Sequence, residues 1–244
     1  MPIWQYILLF ATVLIGGGLA FFVKKENKAQ LQIILSFSGA YILGITLLHL
    51  MPWVFGSGSH TIGLWVIAGF FLQLLLEQFS VGVEHGHIHA PHNHSFGFVL
   101  SVMFGLGIHA FMEGIPLSYY GEHHIEIHGH THSHNHLLYG IVLHHIPAAF
   151  ALVVLLKVSG IKKRLIWTCL SIFALMSPLG ALFAEIATIP AELQIGILAL
   201  AVGSLLHIST VIIFEMDSPG HHHIPRKKLI AIIAGIGLSI LTIL

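Results

Sequence analysis

A histidine and a glutamate lie four residues apart in a segment that is otherwise apolar. The segment is GLGIHAFMEGIPLSYY, residues 105–120, and the two residues are His109 and Glu113. Residues at this spacing lie on the same face of an α-helix, so the two side chains can contact one ion together. An ionisable residue near the centre of a bilayer costs roughly 2.5–3.5 kcal/mol on insertion scales, and such residues commonly mark an ion or substrate path. The pair therefore indicates a buried cation site.

Two adjacent histidines, His144 and His145, lie in a second apolar segment, LYGIVLHHIPAAFAL (138–152). Pro147 follows them, and proline removes a backbone donor and can kink a helix, which frees polar backbone where ions pass. Small residues in both segments permit close approach of two helix backbones: Gly105, Gly107 and Gly114 in the first, and Gly140, Ala148 and Ala149 in the second. We therefore expect the two helices to pack closely and to share one ion.

The residue types indicate which ion the shared site would hold. His109, Glu113 and His144 together supply two imidazoles and one carboxylate, a borderline ligand set that suits Zn²⁺. Two other histidines, His49 and His207, also lie in apolar segments. A lone histidine in an apolar helix is more often hydrogen-bonded core than a ligand, so the sequence leaves their role open.

The composition indicates the elements that must position these side chains. Of the 244 residues, 56% are hydrophobic and only 8% are charged, which lies outside the range of ordinary soluble domains. A hydrocarbon core of about 30 Å requires about 20 apolar residues per helix. Segments of this kind occur near 3–23, 31–54, 61–83, 96–120, 137–158, 164–187, 191–214 and 227–244. We predict an all-α polytopic membrane protein with eight transmembrane helices, forming a single domain over residues 1–244.

The basic residues predict how these helices are oriented. All ten Lys and Arg residues occur within 24–28, 157–164 and 226–228, and basic residues in short loops favour the cytoplasmic side. An even number of predicted helices separates each group from the next, so all three groups can share the inner side. This arrangement places both termini outside. The first apolar run lacks a basic segment before it, so we predict a first transmembrane helix and not a cleaved signal peptide.

Most of the 21 histidines lie in three loop tracts, at 84–94, 121–136 and 221–223. The predicted orientation places the first and third tracts inside and the second outside. Imidazole-rich tracts are typical of labile metal-collecting segments, although a solvated low-complexity loop without a defined site is the alternative. In either case a flexible loop loses entropy on ordering, so we expect these tracts to gather ions without setting selectivity.

Two motifs of the sequence resemble those of a known family. GIHAFMEGIPL (107–117) followed by IVLHHIPAAFAL (141–152) is similar to the paired fourth- and fifth-helix signatures of the ZIP family of divalent-metal transporters. The similarity extends to four further segments: GAYILGITLLHLMP (39–52), GFFLQLLLEQF (69–79), SPLGALFAE (177–185) and AVGSLLHISTVIIFEM (201–216).

The resemblance implies transport of Zn²⁺ into the cytoplasm across the cell (plasma) membrane, with Fe²⁺, Mn²⁺, Cd²⁺ or Co²⁺ as other candidate ions. It implies a site between the fourth and fifth helices, in which His109 and Glu113 match the fourth-helix ligands and His144 and His145 match the fifth-helix pair. It also implies a two-bundle arrangement and a homodimer. We expect the metal ion and the lipid bilayer as partners, and no nucleic acid.

The chain departs from those family members that have a two-metal centre. Their additional polar and acidic positions correspond here to Ala110, Ala148 and Ser177. We therefore predict one intramembrane metal site, with His145 as an additional nitrogen ligand.

Other classes of protein can bury the same residue types. A membrane-embedded zinc-dependent hydrolase would use similar ligands, but the H-E-x-x-H pattern is absent from the sequence. A haem protein would use axial imidazoles, but it would not explain the glutamate beside His109. A metal-binding sensor without transport is a third alternative. We predict a transporter and not an enzyme.

Overall fold

The computed structural model describes residues 1–22, 28–58, 60–83, 96–120, 135–214 and 225–241. Within these ranges the chain is helical and contains no strand, which confirms the all-α prediction. The helices are α1 (Ile3–Phe22), α2 (Lys28–Ile45), α3 (Met51–Gly56), α4 (Ile62–Ser80), α5 (Phe96–Gly114), α6 (His136–Val158), α7 (Lys163–Ile186), α8 (Ala191–Phe214) and α9 (Arg226–Leu241). A π-helical turn, Thr46–Leu50, connects α2 to α3. Except for Asn135 and His136, the three histidine-rich tracts lie outside the described residues.

Seven segments of the described chain are long and apolar enough to cross a membrane, and they confirm a polytopic membrane protein. They coincide with the first seven predicted helices, with α2, the π-helical turn and α3 forming one of them. The last predicted span corresponds to α9, which has 16 residues. The eighth span and the outer position of both termini remain predictions.

The helices pack as two bundles. In the first bundle α1 packs against α6 and α7, and α5 packs against α7; in the second, α2 packs against α8 and α9, and α4 packs against α8. The bundles meet where α4 contacts α5 and where α2 contacts α6, with a smaller contact between α5 and α8. The packing therefore has the two-bundle form that the resemblance implies. The two helices that carry the predicted ligands, α5 and α6, both belong to the first bundle and both face the second.

The glycines of α5 pack against α4 and α7, so the expectation that they would pack against α6 was wrong. A Cβ atom added at Gly105 would lie 2.6 Å from the carbonyl oxygen of Leu76 in α4, and one added at Gly114 would overlap the carbonyl oxygen of Ser177 in α7. Gly140 of α6 faces the side chain of Ile45 in α2. The physical reason is that imidazole and carboxylate side chains occupy the space between α5 and α6, which keeps these two backbones apart.

The fourth span is not one continuous helix. Helix α5 ends at Gly114, directly after Glu113, and a turn at Ile115 and Pro116 precedes a further helical segment at 117–120. Proline has no N–H to continue the helical hydrogen-bond ladder, which explains the position of this turn. By contrast, α6 runs without a break from His136 to Val158 and includes Pro147. A break in regular helix therefore occurs next to the predicted site, in the fourth span and not in the fifth.

Candidate metal site

The four predicted ligands form one buried polar cluster. His109 and Glu113 project from α5, and His144 and His145 project from α6. Only 1–2% of each residue is exposed. Because charged and polar groups are costly to bury without partners, such a cluster requires its members to interact with one another or with an ion.

The carboxylate of Glu113 lies between two imidazoles from different helices. Its Oε1 atom is 2.9 Å from His109 Nε2, and its Oε2 atom is 3.5 Å from His145 Nε2. The contact with His109 is the expected result of the four-residue spacing on one helix. The contact with His145 connects α5 to α6 through side chains and confirms that the two segments meet at this glutamate.

The fourth residue of the cluster, His144, lies near both other histidines. The centroids of the two rings are 6.1 Å apart and the rings are nearly perpendicular, at 86°. His144 is also 6.2 Å from His145, centroid to centroid. All four residues predicted from the sequence therefore lie together, although their role as ligands remains a prediction.

Two separations between donor atoms are close to those of a zinc site, but the cluster as a whole is not arranged around one ion. Ligand atoms about 2.0 Å from a tetrahedral Zn²⁺ ion lie about 3.3 Å from one another, and the two imidazole–carboxylate separations, 2.9 and 3.5 Å, lie on either side of this value. No three His, Cys, Asp or Glu side chains in the described residues surround a common ion position as they stand. An ion bound here would replace the direct contacts of Glu113 and would require side-chain rotations to bring three ligands to one point.

Two further residues, both in the second bundle, form a hydrogen-bond chain that ends at His109. The hydroxyl oxygen of Ser204 in α8 is 3.3 Å from His109 Nδ1, and this hydroxyl donates a hydrogen bond to Gln73 Oε1 in α4 at 3.0 Å. Only 5% of Ser204 and 1% of Gln73 are exposed. Both are polar residues in otherwise apolar segments, and this was the signal in the sequence that could have identified them.

A second polar pair, which is partly buried, joins the same two helices. His207 Nε2 of α8 is 2.8 Å from Glu77 Oε2 of α4. The ring of Phe70 packs edge-on against the ring of His207, with the two centroids 4.8 Å apart. Glu77 is one turn beyond Gln73 and His207 is about one turn beyond Ser204, so α4 and α8 contact each other through two successive polar pairs. His207 is thus paired with a carboxylate and lies outside the four-residue cluster.

His49 lies apart from this cluster, in the π-helical turn. Its ring stacks on that of His136, with centroids 4.6 Å apart and planes at 25°. Nearly parallel rings do not direct their nitrogens at a common ion, and whether His49 binds metal remains open.

The positions that would supply a second metal centre hold no carboxylate. Ala110 and Ala148 are part of the apolar core, and the Ser177 hydroxyl donates a hydrogen bond to the backbone carbonyl of Ala110 at 2.9 Å. These three residues therefore connect α5 to its neighbours by packing and by one hydrogen bond.

The chain is similar to known proteins over the part that contains this cluster. The ZIP zinc transporter family model matches residues 84–242. The zinc transporter SLC39A7 of Rattus norvegicus is 32% identical over 118 residues, which cover 37% of this chain and 25% of the relative. SLC39A7 of Homo sapiens is 33% identical over 115 residues, covering 36% and 24%. The zinc transporter ZIP9 of Micropogonias undulatus is 28% identical over 190 residues, covering 69% of this chain and 58% of the relative. The chain thus spans about a quarter of the length of the SLC39A7 proteins that it matches.

Proposed function

Because the chain belongs to the ZIP zinc transporter family, we propose that it carries Zn²⁺ across a membrane through the cluster of His109, Glu113, His144 and His145. The observation that supports this most directly is the position of Glu113, whose two carboxylate oxygens each contact an imidazole, one from α5 and one from α6. The family supports zinc as the substrate, and the chemistry of the cluster agrees, since nitrogen and oxygen ligands suit this ion. Fe²⁺, Mn²⁺, Cd²⁺ and Co²⁺ are further substrates that the same ligand types can accept.

The proposal includes the direction and the location of transport. Positive charge at 157–164, between and at the ends of α6 and α7, and at 226–228, in the first turn of α9, favours the cytoplasmic side for these residues. An inward-negative potential favours entry of a divalent cation by about 2.3 kcal/mol per charge per 100 mV. We therefore propose uptake into the cytoplasm across the cell membrane. A homodimer is the assembly that the resemblance implies.

One ion per cluster is the stoichiometry that we propose. Glu113 is the carboxylate that contacts His109 and His145, and Ala110 and Ala148 provide no further ligand. A second divalent cation within a few ångströms would add repulsion in a medium of low dielectric constant without an additional negative charge to offset it.

Reconstitution of the purified chain into liposomes tests this function. We expect Zn²⁺ added outside to produce a time-dependent rise in the signal of an entrapped zinc indicator, at a rate that saturates with Zn²⁺ concentration. Protein-free liposomes give the lower limit of the indicator signal, and liposomes treated with a zinc ionophore give its upper limit. Binding of Zn²⁺ to the membranes without accumulation inside would identify a sensor or storage protein instead. Accumulation without any organic substrate separates a transporter from a hydrolase.

The histidine-rich tracts should affect uptake much less than the buried cluster. We expect asparagine at all four of His128, His130, His132 and His134 to change the uptake rate by less than about tenfold, because the composition of this tract is typical of labile metal collection and not of a selective site. Initial rates over a range of Zn²⁺ concentrations provide the measurement. Complete loss of saturable uptake in this variant would place selectivity in the loop and would contradict the proposed site.

A further inference from the structure

We propose that Ser204 and Gln73 are positioning residues for Zn²⁺: they fix the proton of His109 on Nδ1, so that its Nε2 atom presents a lone pair towards Glu113. This inference rests on the proposed function and assigns a role to two residues outside the ligand cluster.

The number of available protons sets the direction of each hydrogen bond. A serine hydroxyl has one hydrogen to donate, and Ser204 donates it to Gln73 Oε1 at 3.0 Å. Towards His109 Nδ1, at 3.3 Å, the Ser204 oxygen can then only accept. His109 Nδ1 must therefore be the nitrogen that carries a hydrogen.

A neutral imidazole carries only one N–H, so its other nitrogen is an acceptor. With the hydrogen on Nδ1, the Nε2 atom of His109 is an acceptor and faces the acceptor Glu113 Oε1 at 2.9 Å, an arrangement that is favourable when a cation bridges the two atoms. Both atoms can then donate an electron pair to a cation placed beside them. Metal-binding histidines commonly have their second nitrogen held by a hydrogen-bond acceptor, which fixes both the tautomer and the ring orientation.

The hydrogen bonds also restrict the rotation of the ring. His109 is on α5, whereas Ser204 and Gln73 are on α8 and α4 of the other bundle. All three residues are buried, so water does not compete for these hydrogen bonds. The imidazole is thus held at Nδ1 by Ser204 of the opposite bundle, while its Nε2 atom lies 2.9 Å from Glu113 of its own helix.

Zinc uptake by Ser204→Ala tests this role. Loss of the hydroxyl should raise the KM for Zn²⁺ by about 10- to 100-fold, which is the usual effect of removing a hydrogen-bond partner of a metal ligand. Vmax should stay close to that of the wild type, because the four ligands remain present. Ser204→Thr retains the hydroxyl and should restore most of the affinity. Ser209→Ala is the matched control, because Ser209 is a buried serine of the same helix whose hydroxyl bonds the carbonyl of Leu206.

Gln73→Leu gives an independent test from the other end of the hydrogen-bond chain. Without Gln73 Oε1 the Ser204 hydroxyl can donate to His109 Nδ1, which favours the opposite tautomer. We expect an increase in KM similar to that of Ser204→Ala. Thermal unfolding midpoints of all variants serve as the folding control.

The outcomes distinguish this inference from the proposed function. If the wild type accumulates Zn²⁺ but Ser204→Ala and Gln73→Leu have an unchanged KM, the positioning role is wrong while the transport function stands. An equal rise in KM for Ser204→Thr and Ser204→Ala would also contradict it, since packing would then explain both. If the wild type itself does not accumulate Zn²⁺, the proposed function is the part that fails.

Discussion

Zinc uptake is expected to fall by at least about a hundredfold when Glu113 is replaced by alanine, which exceeds the usual effect of removing a residue that only supports a metal ligand. Glu113 contacts both His109 and His145, and only 1% of it is exposed. Its carboxylate supplies the negative charge that offsets a divalent cation in a medium of low dielectric constant, where Coulomb interactions are much stronger than in water. His109→Ala should reduce uptake to a similar extent, because it removes the neighbouring ligand.

Glu113→Gln separates the charge from the shape of this side chain. Glutamine has nearly the same volume but no negative charge, so we expect it to lose uptake as alanine does. Glu192→Gln is the matched control, since Glu192 is an exposed carboxylate in the first turn of α8, and it should transport like the wild type. Initial uptake rates and thermal unfolding midpoints are compared for the wild type, Glu113→Gln and Glu192→Gln. Normal uptake by a folded Glu113→Gln protein would remove Glu113 from the transport site.

Gly114→Ala should reduce uptake by roughly ten- to a hundredfold, the size of effect that a displacement of about 1 Å can have at a functional site. A Cβ atom at Gly114 would overlap the carbonyl oxygen of Ser177 in α7. Backbone cannot rotate away as a flexible side chain can, so α5 and α7 would have to separate. Glu113 is the residue directly before this glycine and would move with it. Overpacking of this kind also destabilises a folded protein by about 1–3 kcal/mol.

Gly107→Ala is the matched control in the same helix. The nearest atom to a Cβ at Gly107 is Met176 Cγ, at 3.7 Å, which is an ordinary van der Waals contact. Gly107 is in the interior of α5, where alanine gains about 1 kcal/mol of intrinsic helix propensity, whereas Gly114 is the last residue of the helix. The comparison therefore concerns mainly the contact with α7. We expect Gly107→Ala to take up zinc at nearly the wild-type rate. Equal uptake and equal unfolding midpoints for the two variants would contradict the close packing at Gly114.

The cluster could be predicted because its signals are local in sequence. The spacing of His109 and Glu113 places both on one helical face, and adjacent histidines in a second apolar segment indicate a partner helix. The apolar segments themselves predict the membrane-spanning helices, because a minimum length and a lack of charge are sufficient criteria.

The neighbours of each helix could not be predicted in the same way. Glycines such as Gly105 and Gly114 indicate that another backbone approaches, but they do not identify which one, and the structure places α4 and α7 there. Gln73 and Ser204 are 131 positions apart, and nothing local relates them to each other or to His109. Long-range pairs of this kind follow from the order in which helices pack, which a single sequence does not encode in any short pattern.

The imidazole of His109 contacts both bundles. Its Nε2 atom contacts Glu113 of the first bundle, and its Nδ1 atom contacts Ser204 of the second. A movement of α8 relative to α5 that breaks the contact with Ser204 changes the free energy of cargo binding. By linkage, the bound cargo must change the equilibrium between the two arrangements by the same free energy. One aromatic ring thus makes occupancy and conformation reciprocal, without a separate regulatory site.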